Sequence, residues 1–493
     1  MASIHRTVPE SPLDTLDRYT DAGGGEAIGI ARTEAADDVI AEILRSGLRG
    51  RGGAGFPTGR KWQTVRANTA GAAGSATVVV NGAEGEPGSF KDRTILRSNP
   101  FAVLEGAIVA AYAVDARRVV VAIKASFEVE RDILERARTA IASVGWLDDV
   151  EMEIFTGPSA YLLGEETALL EAIDGRPPFP RIAPPYRRGI DDDIIPEERD
   201  HDATRSAANV ELAGPRTETT GTPTLVDNVE TMANIPGIVA RGADWFRSIG
   251  TESSPGSVVC TVSGSAPHHA VGEFAMGTPL REVLETLGGV DCTHIVAVAT
   301  GVSSPIVDPA HLDTPLTYED FEAAGTNLGT AGFIVIDDEA DLLTATLDAA
   351  AFLAVESCGQ CTPCKADGRT IATGLGALVV ADASEIRPDL DTVRAALTTV
   401  ADGARCNLAS QQQAVVGTIL DRFPEMIADV ADRTRAPRTN VVIAPITDLV
   451  GGRFVLDTLQ AAKQPDWTFD DLDSGKAPAD WLRHADDIPA PHS

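Results

Sequence analysis

Apolar and polar residues alternate in blocks along residues 78–155, and the blocks predict strands and helices in turn. The predicted strands cover 78–80, 118–123 and 150–155, and the predicted helices cover 37–48, 101–114 and 127–144. Strands that alternate with helices form a parallel sheet with right-handed crossovers. The pattern therefore predicts an α/β domain in which ligands bind beyond the carboxyl ends of the strands.

Glycine-containing turns with several polar groups follow the first and the third predicted strand. They cover residues 81–93 and 156–167, and the second of them opens a helix. Backbone N–H groups in such turns suit a phosphate or the electron-rich edge of a ring. Tight turns with solvated acidic side chains are the alternative interpretation.

A third glycine-rich segment, residues 49–62, precedes the first strand. Gly50, Gly52 and Gly55 satisfy the G-x-G-x-x-G spacing, but the segment upstream is predicted as helix, whereas a dinucleotide fingerprint follows a strand. We therefore reject an ordinary Rossmann turn here. The loop still combines bare amides with cationic side chains, and Phe56 is placed to stack on a flat ring. A floppy surface loop is the alternative, and Pro57 counts against it.

Composition limits the function classes. The 493 residues allow about two to four domains, at roughly 150 residues each. The net charge of −32 disfavours nucleic acid and an anionic membrane surface, both of which would repel the chain. The amino-terminal residues lack the apolar core of a signal peptide, and no apolar stretch is long enough to span a bilayer, so we expect no direct membrane insertion.

Four of the six cysteines form one pattern, Cys358, Cys361 and Cys364 with the remote Cys406. Three thiolates from a tight loop and one from afar suit a [4Fe–4S] cluster. Zinc is the first alternative, although the paired knuckles of structural zinc sites are missing, and a disulfide or buried thiol cluster is the second. A reducing cytosol favours metal over disulfides.

Two further pairs of possible metal ligands are predicted to be structural instead. Cys260 and Cys292 lie near apolar runs and are predicted as core residues. The pair His268 and His269 lies in a turn without a third ligand, and we interpret it as loop.

Taken together, these segments resemble the flavin- and NADH-binding subunit of respiratory complex I, a family shared with diaphorase subunits of hydrogenases and formate dehydrogenases. The likeness rests on residues 50–62, 81–93, 161–167, 223–231 and 357–364 with Cys406, in the family's order. It extends from about residue 40 to about residue 430.

The resemblance implies a three-part α/β architecture with a carboxy-terminal extension. A Rossmann-like parallel-sheet flavin domain would occupy 1–250, with an acidic insertion at 187–220. A β-grasp, soluble ligand-binding domain would follow at 251–338, with strands at 258–262, 295–299 and 333–336 and a helix at 280–287. A helical bundle at 339–435 would carry the [4Fe–4S] cluster on Cys358, Cys361, Cys364 and Cys406, and 436–493 would form the extension.

The resemblance also implies FMN and NAD(H) as further cofactors and assigns residues to them. FMN would be held by Gly50, Arg51, Gly52, Lys61, Asn81, Glu84, Tyr161, Gly164, Glu165, Glu166, Asn228 and Thr231. NADH would stack over the flavin, with Phe56 and Tyr186 on its adenine and with Glu86 and Glu166 at its ribose or nicotinamide edges. No side chain is assigned acid–base chemistry, and Glu84 and Glu165 would tune the flavin potential.

The implied activity is oxidation of NADH, with hydride passing to FMN and single electrons passing through the cluster to iron–sulfur partner subunits. Such a protein is expected in the cytoplasm, at the inner face of the membrane through those partners. A diaphorase-type subunit of a formate dehydrogenase or hydrogenase, with an altered donor, is one alternative. A non-catalytic scaffold that keeps the cluster is another.

Several positions depart from the family pattern. Ala83 replaces an acidic residue, Ala183 a lysine and Tyr186 a phenylalanine, and Asp227 lies where asparagine is common. Loss of the lysine would remove a charge-assisted hydrogen bond of about 1.5–3 kcal/mol, equivalent to roughly tenfold to a hundredfold in NADH affinity. The acidity of the site disfavours NADPH.

Overall fold

The computed structural model describes residues 4–70, 75–181, 222–380, 390–425, 439–457, 459–460 and 463. Ala183, Tyr186, the acidic insertion and the chain beyond residue 463 lie outside the described residues. Within the described residues, no helix combines the length and the apolar character needed to cross a membrane.

In the described residues, the first part of the chain contains four strands and ten α-helices, with one 3-10 helix at Tyr161–Gly164. The strands are β1 (Ala76–Gly82), β2 (Ala116–Lys124), β3 (Glu151–Gly157) and β4 (Thr224–Asn228). The helices are α1 (Leu16–Asp21), α2 (Glu26–Thr33), α3 (Ala36–Ser46), α4 (Thr58–Thr69), α5 (Lys91–Ser98), α6 (Pro100–Val114), α7 (Glu128–Ser143), α8 (Glu166–Ile173), α9 (Val229–Arg241) and α10 (Ala243–Arg247).

The four strands form one parallel sheet in the order β3-β2-β1-β4. The three strands and the helices predicted from the alternating pattern are confirmed to within a few residues. The alternating pattern does not predict strand β4, because its five residues carry too little periodicity. It pairs with β1, where Val79 lies opposite Val226 on one side and Val120 on the other. The central strands β1 and β2 are therefore each hydrogen-bonded to a neighbouring strand on both sides.

Helix α6 packs unusually close to α9. Almost every residue of α6 is buried, which fits its apolar composition on all sides. A side-chain carbon at Gly106 would lie 2.1 Å from the carbonyl oxygen of Met232 in α9, so only glycine permits this approach. The contact fixes α9, whose first residues reach the candidate site described below.

A second sheet follows, with strands β5 (Ser257–Gly264), β6 (Ala270–Ala275), β7 (Ile295–Thr300) and β8 (Gly332–Asp337) and helices α11 (Leu280–Gly288) and α12 (Tyr318–Ala323). The strand order is β6-β5-β8-β7, parallel between β5 and β8 and antiparallel elsewhere. Cys260 and Cys292 lie in its apolar core, as predicted. His268 and His269 lie in the turn before β6, and the ring of His269 stacks on Phe454.

The third part is helical. Its helices are α13 (Leu342–Glu356), α14 (Thr362–Val380), α15 (Leu390–Thr399) and α16 (Leu408–Arg422). An antiparallel hairpin that the sequence did not predict comes next, with strands β9 (Ile446–Val450) and β10 (Arg453–Leu456). The fold class is thus the expected combination of a parallel-sheet α/β domain, a second sheet and helices, whereas the boundaries at 250, 338 and 435 stay predictions.

The hairpin packs back on α5 of the first domain. Arg93 donates to the carbonyl oxygens of Ile446 at 2.5 Å and Thr447 at 3.1 Å. The rings of Phe90 and Phe454 lie 5.6 Å apart. The hairpin therefore contacts the helix that follows the polar turn at 81–93.

Candidate functional site

A cleft of about 930 Å³ opens beyond the carboxyl ends of β1 and β4, where the parallel sheet predicts it. Most residues assigned to FMN or NADH from the sequence line this cleft. They are Gly50, Gly52, Phe56, Lys61, Asn81, Glu84, Glu86, Tyr161, Gly164, Glu165, Glu166, Asn228 and Thr231. Their roles as ligand contacts stay predictions, but the structure brings them to one place.

The glycine-rich loop forms one wall of the cleft. Its base is closed by the backbone N–H of Gly50, which donates to the Phe56 carbonyl at 2.8 Å. Gly53 and Gly55 have φ angles of 117° and 62°, which side chains other than glycine rarely adopt. Phe56 is 52 % exposed although it is a large apolar residue, so its ring is available to stack on a planar ligand.

Arg51 is an exception among the assigned residues, because it does not line the cleft. Its guanidinium is buried and donates to the carbonyl oxygens of Ser257 at 3.1 Å and Pro255 at 3.3 Å. Its backbone N–H donates to the Thr231 hydroxyl at 2.9 Å. The Arg51 side chain therefore joins the first two domains, and its assignment to FMN stays a prediction.

Asn81 joins the turn after β1 to the turn after β3. Its side-chain amide donates to the Gly164 carbonyl at 2.8 Å, and its amide oxygen accepts from the Ala83 backbone N–H at 3.2 Å. Ala83 is itself buried. The two turns that the sequence analysis singled out therefore meet at the edge of the sheet.

Glu84 is held in its ionised form. Burial alone would raise the pKa of this carboxyl group, but the nearby Arg93 and Lys91 bring it below its ordinary value. Arg93 Nε lies 3.2 Å from Oε2 of Glu84, and the Ser89 hydroxyl donates to Oε1 at 2.7 Å. The cleft therefore has a fixed negative charge at this position.

Lys61 is surrounded by acceptors. Its Nζ lies 2.6 Å from Glu166 Oε1, 2.8 Å from the Val226 carbonyl oxygen and 3.6 Å from Asp227 Oδ1. Burial opposes the ammonium form, but Asp227 and Glu166 outweigh it and raise the pKa of Lys61. Asp227 also accepts from Trp62 Nε1 at 2.9 Å, so this departure from the family pattern supplies a counter-charge for Lys61.

A buried ionic network that the sequence analysis missed fixes Asn228. Lys91 Nζ lies 2.7 Å from Asp92 Oδ1, 2.9 Å from Asn228 Oδ1 and 3.0 Å from Glu230 Oε2. The Asn228 side-chain amide donates to Asp92 Oδ2 at 2.7 Å. One signal in the sequence could have predicted this network. The adjacent charges Lys91 and Asp92 end the motif 81–93, and the motif 223–231 offers Asn228 and Glu230 as partners.

Glu86 and Tyr161 form a buried acid–phenol pair. The Tyr161 hydroxyl donates to Glu86 Oε2, and the Val302 backbone N–H donates to Oε1 at 2.7 Å. Burial raises the pKa of Glu86, and burial together with the charge of Glu86 raises the pKa of Tyr161. Val302 belongs to the second domain, so that domain helps to hold a carboxyl group of the cleft.

Glu165 caps helix α8. Its Oε2 accepts from the backbone N–H groups of Thr167 at 3.0 Å and Ala168 at 2.8 Å. Burial raises the pKa of its carboxyl group. A capping role accounts for these contacts, and the assignment of Glu165 as a flavin tuner stays a prediction.

Residues from the second and third domains complete the lining, and the sequence analysis did not foresee them. From the second domain these include Ser303, Tyr318, Glu322 and Thr330, and from the third Arg405, Cys406, Asn407 and Gln411. Their approach depends on how the domains pack, which no local pattern encodes.

The four predicted cluster cysteines lie around one small apolar pocket, together with Leu162, Ala404 and Ala409. Burial raises the pKa of Cys358 and of Cys406 to about 12. Such thiols ionise only when a cation compensates the thiolate charge. Iron in a cluster would supply that positive charge. The donor set therefore fits a [4Fe–4S] cluster. In the described residues, no three His, Cys, Asp or Glu side chains converge on a single metal ion. A cubane binds each thiolate through a separate iron, so its ligands need not converge in this way.

The cysteine pocket adjoins the cleft. Leu162, Arg405, Cys406 and Leu408 line both of them. The carboxylate of Glu356, two residues before Cys358, also accepts from the Tyr161 backbone N–H at 2.8 Å. A ligand in the cleft and a cluster on the cysteines would therefore be direct neighbours.

Comparison with known families agrees with this geometry. A family model described as the Nuo51 FMN-binding domain matches residues 43–237. A second, described as the NADH-ubiquinone oxidoreductase-F iron-sulfur binding region, matches residues 344–429 and contains all four cluster cysteines. The expected cofactors, FMN and an iron–sulfur cluster, are thereby confirmed at the level of the family.

Individual relatives give the same result. The chain is 37% identical over 378 residues to a Mycobacterium tuberculosis protein that is named as a subunit of NADH-quinone oxidoreductase, covering 74% of this chain and 78% of that protein. A Streptomyces coelicolor protein with the same name is also 37% identical to this chain. The match extends over 362 residues and covers 71% of this chain and 74% of that protein.

Solved structures extend the comparison to a related class of complex. The crystal structure of an NAD+-reducing [NiFe]-hydrogenase in the H2-reduced state has a TM-score of 0.69 and 30% identity, with 84% of this chain and 66% of that chain covered. The resemblance drawn from the motifs is confirmed by these matches. The chain belongs to the family of NADH-quinone oxidoreductase subunits that combine the Nuo51 FMN-binding domain with the iron–sulfur binding region, the flavoproteins of NADH dehydrogenases.

Proposed function

We propose that this chain is the NADH-oxidising subunit of a larger oxidoreductase, which takes electrons from NADH and passes them to partner subunits. The observation that carries the proposal is the wall shared by the cleft and the cysteine pocket, where Cys406 and Leu162 line both. Electron transfer between a flavin and a cluster requires this proximity, whereas a scaffold for the cluster alone does not need the cleft.

When bound, FMN would supply the hydride acceptance from NADH and the one-electron release to the cluster. The protein binds and orients the reactants. The bare amides of the glycine-rich loop and the ammonium of Lys61 suit the flavin and its phosphate, and the exposed ring of Phe56 suits the dinucleotide. Glu84 and Glu86 give the site its acidic character, which disfavours the extra phosphate of NADPH.

The partners are proposed to be iron–sulfur subunits, because the relatives are named as subunits and one electron must leave the cluster at a time. None of the six cysteines forms a disulfide, which fits a reducing compartment, and we propose a cytoplasmic location with attachment to the inner face of the membrane through partners.

A diaphorase-type role is the second candidate. The similarity to the NAD+-reducing [NiFe]-hydrogenase, which covers 84% of this chain, favours it. Ala83, which replaces an acidic residue of the family pattern, is also compatible with an electron donor other than NADH. Purification of the native complex separates the candidates, since a quinone reductase brings membrane subunits and a diaphorase brings a hydrogenase or formate dehydrogenase subunit.

The proposal is tested by an anaerobic titration of the FMN- and iron-reconstituted protein with NADH, followed by visible spectroscopy. Flavin absorbance near its oxidised maximum should fall first, and cluster absorbance should bleach after it. In a separate turnover assay, NADH should reduce ferricyanide. A replete protein whose spectrum NADH leaves unchanged would overturn the proposal.

A further inference from the structure

Tyr318, a residue of the second domain, contacts the glycine-rich loop of the first domain at several points. Its hydroxyl donates to the Gly50 carbonyl at 2.9 Å and accepts from Arg51 Nη1 at 3.2 Å. The guanidinium carbon of Arg49 lies 4.1 Å from the centre of its ring. A side-chain carbon at Gly55 would lie 2.6 Å from ring carbons, so the ring lies directly against this glycine.

Arg49 closes the same contact from the loop side. Its Nε donates to the Gly55 carbonyl at 2.7 Å, which ties the two ends of the loop together. Its Nη1 lies 3.2 Å from Glu319 Oε2, and Glu319 also accepts from the Ser254 hydroxyl at 2.9 Å. Arg49 is thus bound to the loop at one end of its guanidinium and to α12 at the other.

A loop so rich in glycine has a high conformational entropy when nothing holds it, and a ligand that orders it must offset that entropy. A loop that is already fixed binds its ligand more tightly for the same contacts. The Tyr318 ring, its hydroxyl and the stacked Arg49 supply such a restraint, and Tyr318 lies outside the motifs that identify the flavin site.

We infer that Tyr318 and Arg49 are positioning residues that hold the glycine-rich loop in its binding conformation before FMN and NADH enter. The inference rests on the proposed function, because it takes this loop to be the flavin-binding loop. It gives the second domain a part in the reaction, namely to set the affinity of a site built mainly by the first.

A merely structural role, in which Tyr318 only joins two domains, predicts a different outcome. It predicts lower thermal stability with unchanged FMN affinity. Positioning predicts weaker FMN binding that excess FMN restores, because the loop can still reach the bound conformation. The two roles are therefore separated by a binding measurement and not by stability.

The test is Tyr318→Phe, which removes the hydroxyl and keeps the ring against Arg49. In the deflavinated protein, the Kd for FMN from flavin-fluorescence quenching should rise about fivefold to tenfold, the factor expected for one or two net hydrogen bonds. The KM for NADH should rise with it, whereas kcat at saturating FMN should stay near the wild-type value. Arg49→Met should change the same quantities in the same direction.

Tyr112→Phe is the matched control. The Tyr112 hydroxyl accepts from Arg32 Nε at 2.9 Å and donates to Asp149 at 3.1 Å, with the Arg32 guanidinium 5.8 Å from the ring centre, but Tyr112 does not line the cleft. Tyr112→Phe removes a hydroxyl with the same two kinds of hydrogen bond and should leave the Kd for FMN unchanged. A wild-type Kd in Tyr318→Phe would overturn the inference alone. Failure of the wild-type protein to bind FMN would overturn the proposed function as well.

Discussion

The backbone N–H of Tyr161 donates to the Glu356 carboxylate at 2.8 Å, which links the cleft directly to the cysteine loop. Tyr161 lines the cleft, and Glu356 is the last residue of α13 before Ser357 and Cys358. The side chain of Tyr161 adds a second link, since its hydroxyl lies 3.3 Å from Gln411 Oε1 on α16. The flavin domain and the cluster domain are thus joined by hydrogen bonds at the point where electrons would cross.

Tyr161→Phe should impair turnover more than stability. The substitution removes the hydrogen bond that positions the Glu86 carboxyl in the cleft, so kcat/KM for NADH in the ferricyanide assay should fall roughly tenfold or more. Tyr19→Phe is the control. The Tyr19 hydroxyl donates to the buried Glu105 carboxylate with a length of 2.6 Å, and neither residue lines the cleft. Equal losses of kcat/KM in both variants would contradict a role for Tyr161 in the site.

Cys406→Ser should remove the cluster and keep FMN. Iron content and the broad cluster absorbance should disappear because a serine oxygen is a poor replacement for a buried thiolate ligand. The residues assigned to FMN lie mostly on other elements, so bound flavin should persist and NADH should still reduce it. Cys292→Ser, in the core of the second domain, should retain its iron. Full iron content in Cys406→Ser would mean that another residue is the fourth ligand.

Gly52→Val should strip FMN from the protein. A side-chain carbon at Gly52 would lie 3.3 Å from Cβ of Asn228, and the branched methyl groups of valine would extend into the cleft wall. Flavin stoichiometry after gel filtration should therefore fall well below that of the wild type. Gly29→Val serves as the control, since nothing lies within 4 Å of the added carbon there. Normal flavin stoichiometry in Gly52→Val would count against the assigned loop.

Asp348→Asn should stabilise the protein at neutral pH. Burial raises the pKa of Asp348 to about 6, above the value of about 3.9 expected in the unfolded chain. The folded state therefore binds the extra proton between those values, and the stability associated with this group falls as the pH rises towards 6. The Ile443 backbone N–H, which donates to Asp348 at 3.3 Å, can still donate to asparagine.

The expected gain above pH 6 is about 1–2 kcal/mol, reduced from the full linkage value because the carboxyl group is partly solvated. It should shrink as the pH falls from 6 and vanish only below about pH 3, where the wild-type carboxyl is protonated in both states. Thermal melts of both proteins across this range measure the difference, and Asp132→Asn on the exposed surface gives the baseline. An unchanged difference at every pH would contradict the assigned cause.

The sequence predicted those elements whose signal is local. Runs of valine and isoleucine gave β1 and β2, and four thiols in a characteristic spacing gave the residues around the cysteine pocket. The short β4 was missed because five residues ending in Asp227 and Asn228 carry too little periodicity to separate a strand from a loop.

What the sequence could not predict depends on packing between distant segments. Tyr318 meets Gly50 across 268 positions of the chain, and Val302 meets Glu86 across 216. The family resemblance implied that Arg51 holds the flavin, but the structure uses its guanidinium to satisfy the carbonyls of Ser257 and Pro255. Which acceptor an arginine finds is decided by the tertiary fold.

The hydrogen bond from Arg93 to the Ile446 carbonyl joins residues 353 positions apart. A ribosome delivers the chain from its amino end, so the flavin domain emerges long before the hairpin that holds Arg93 beside Glu84. The second anchor of Arg93 therefore becomes available only after the hairpin has been translated. We expect a chain truncated before the hairpin to hold Arg93, and with it the Glu84 carboxylate, less firmly than the 493-residue chain does.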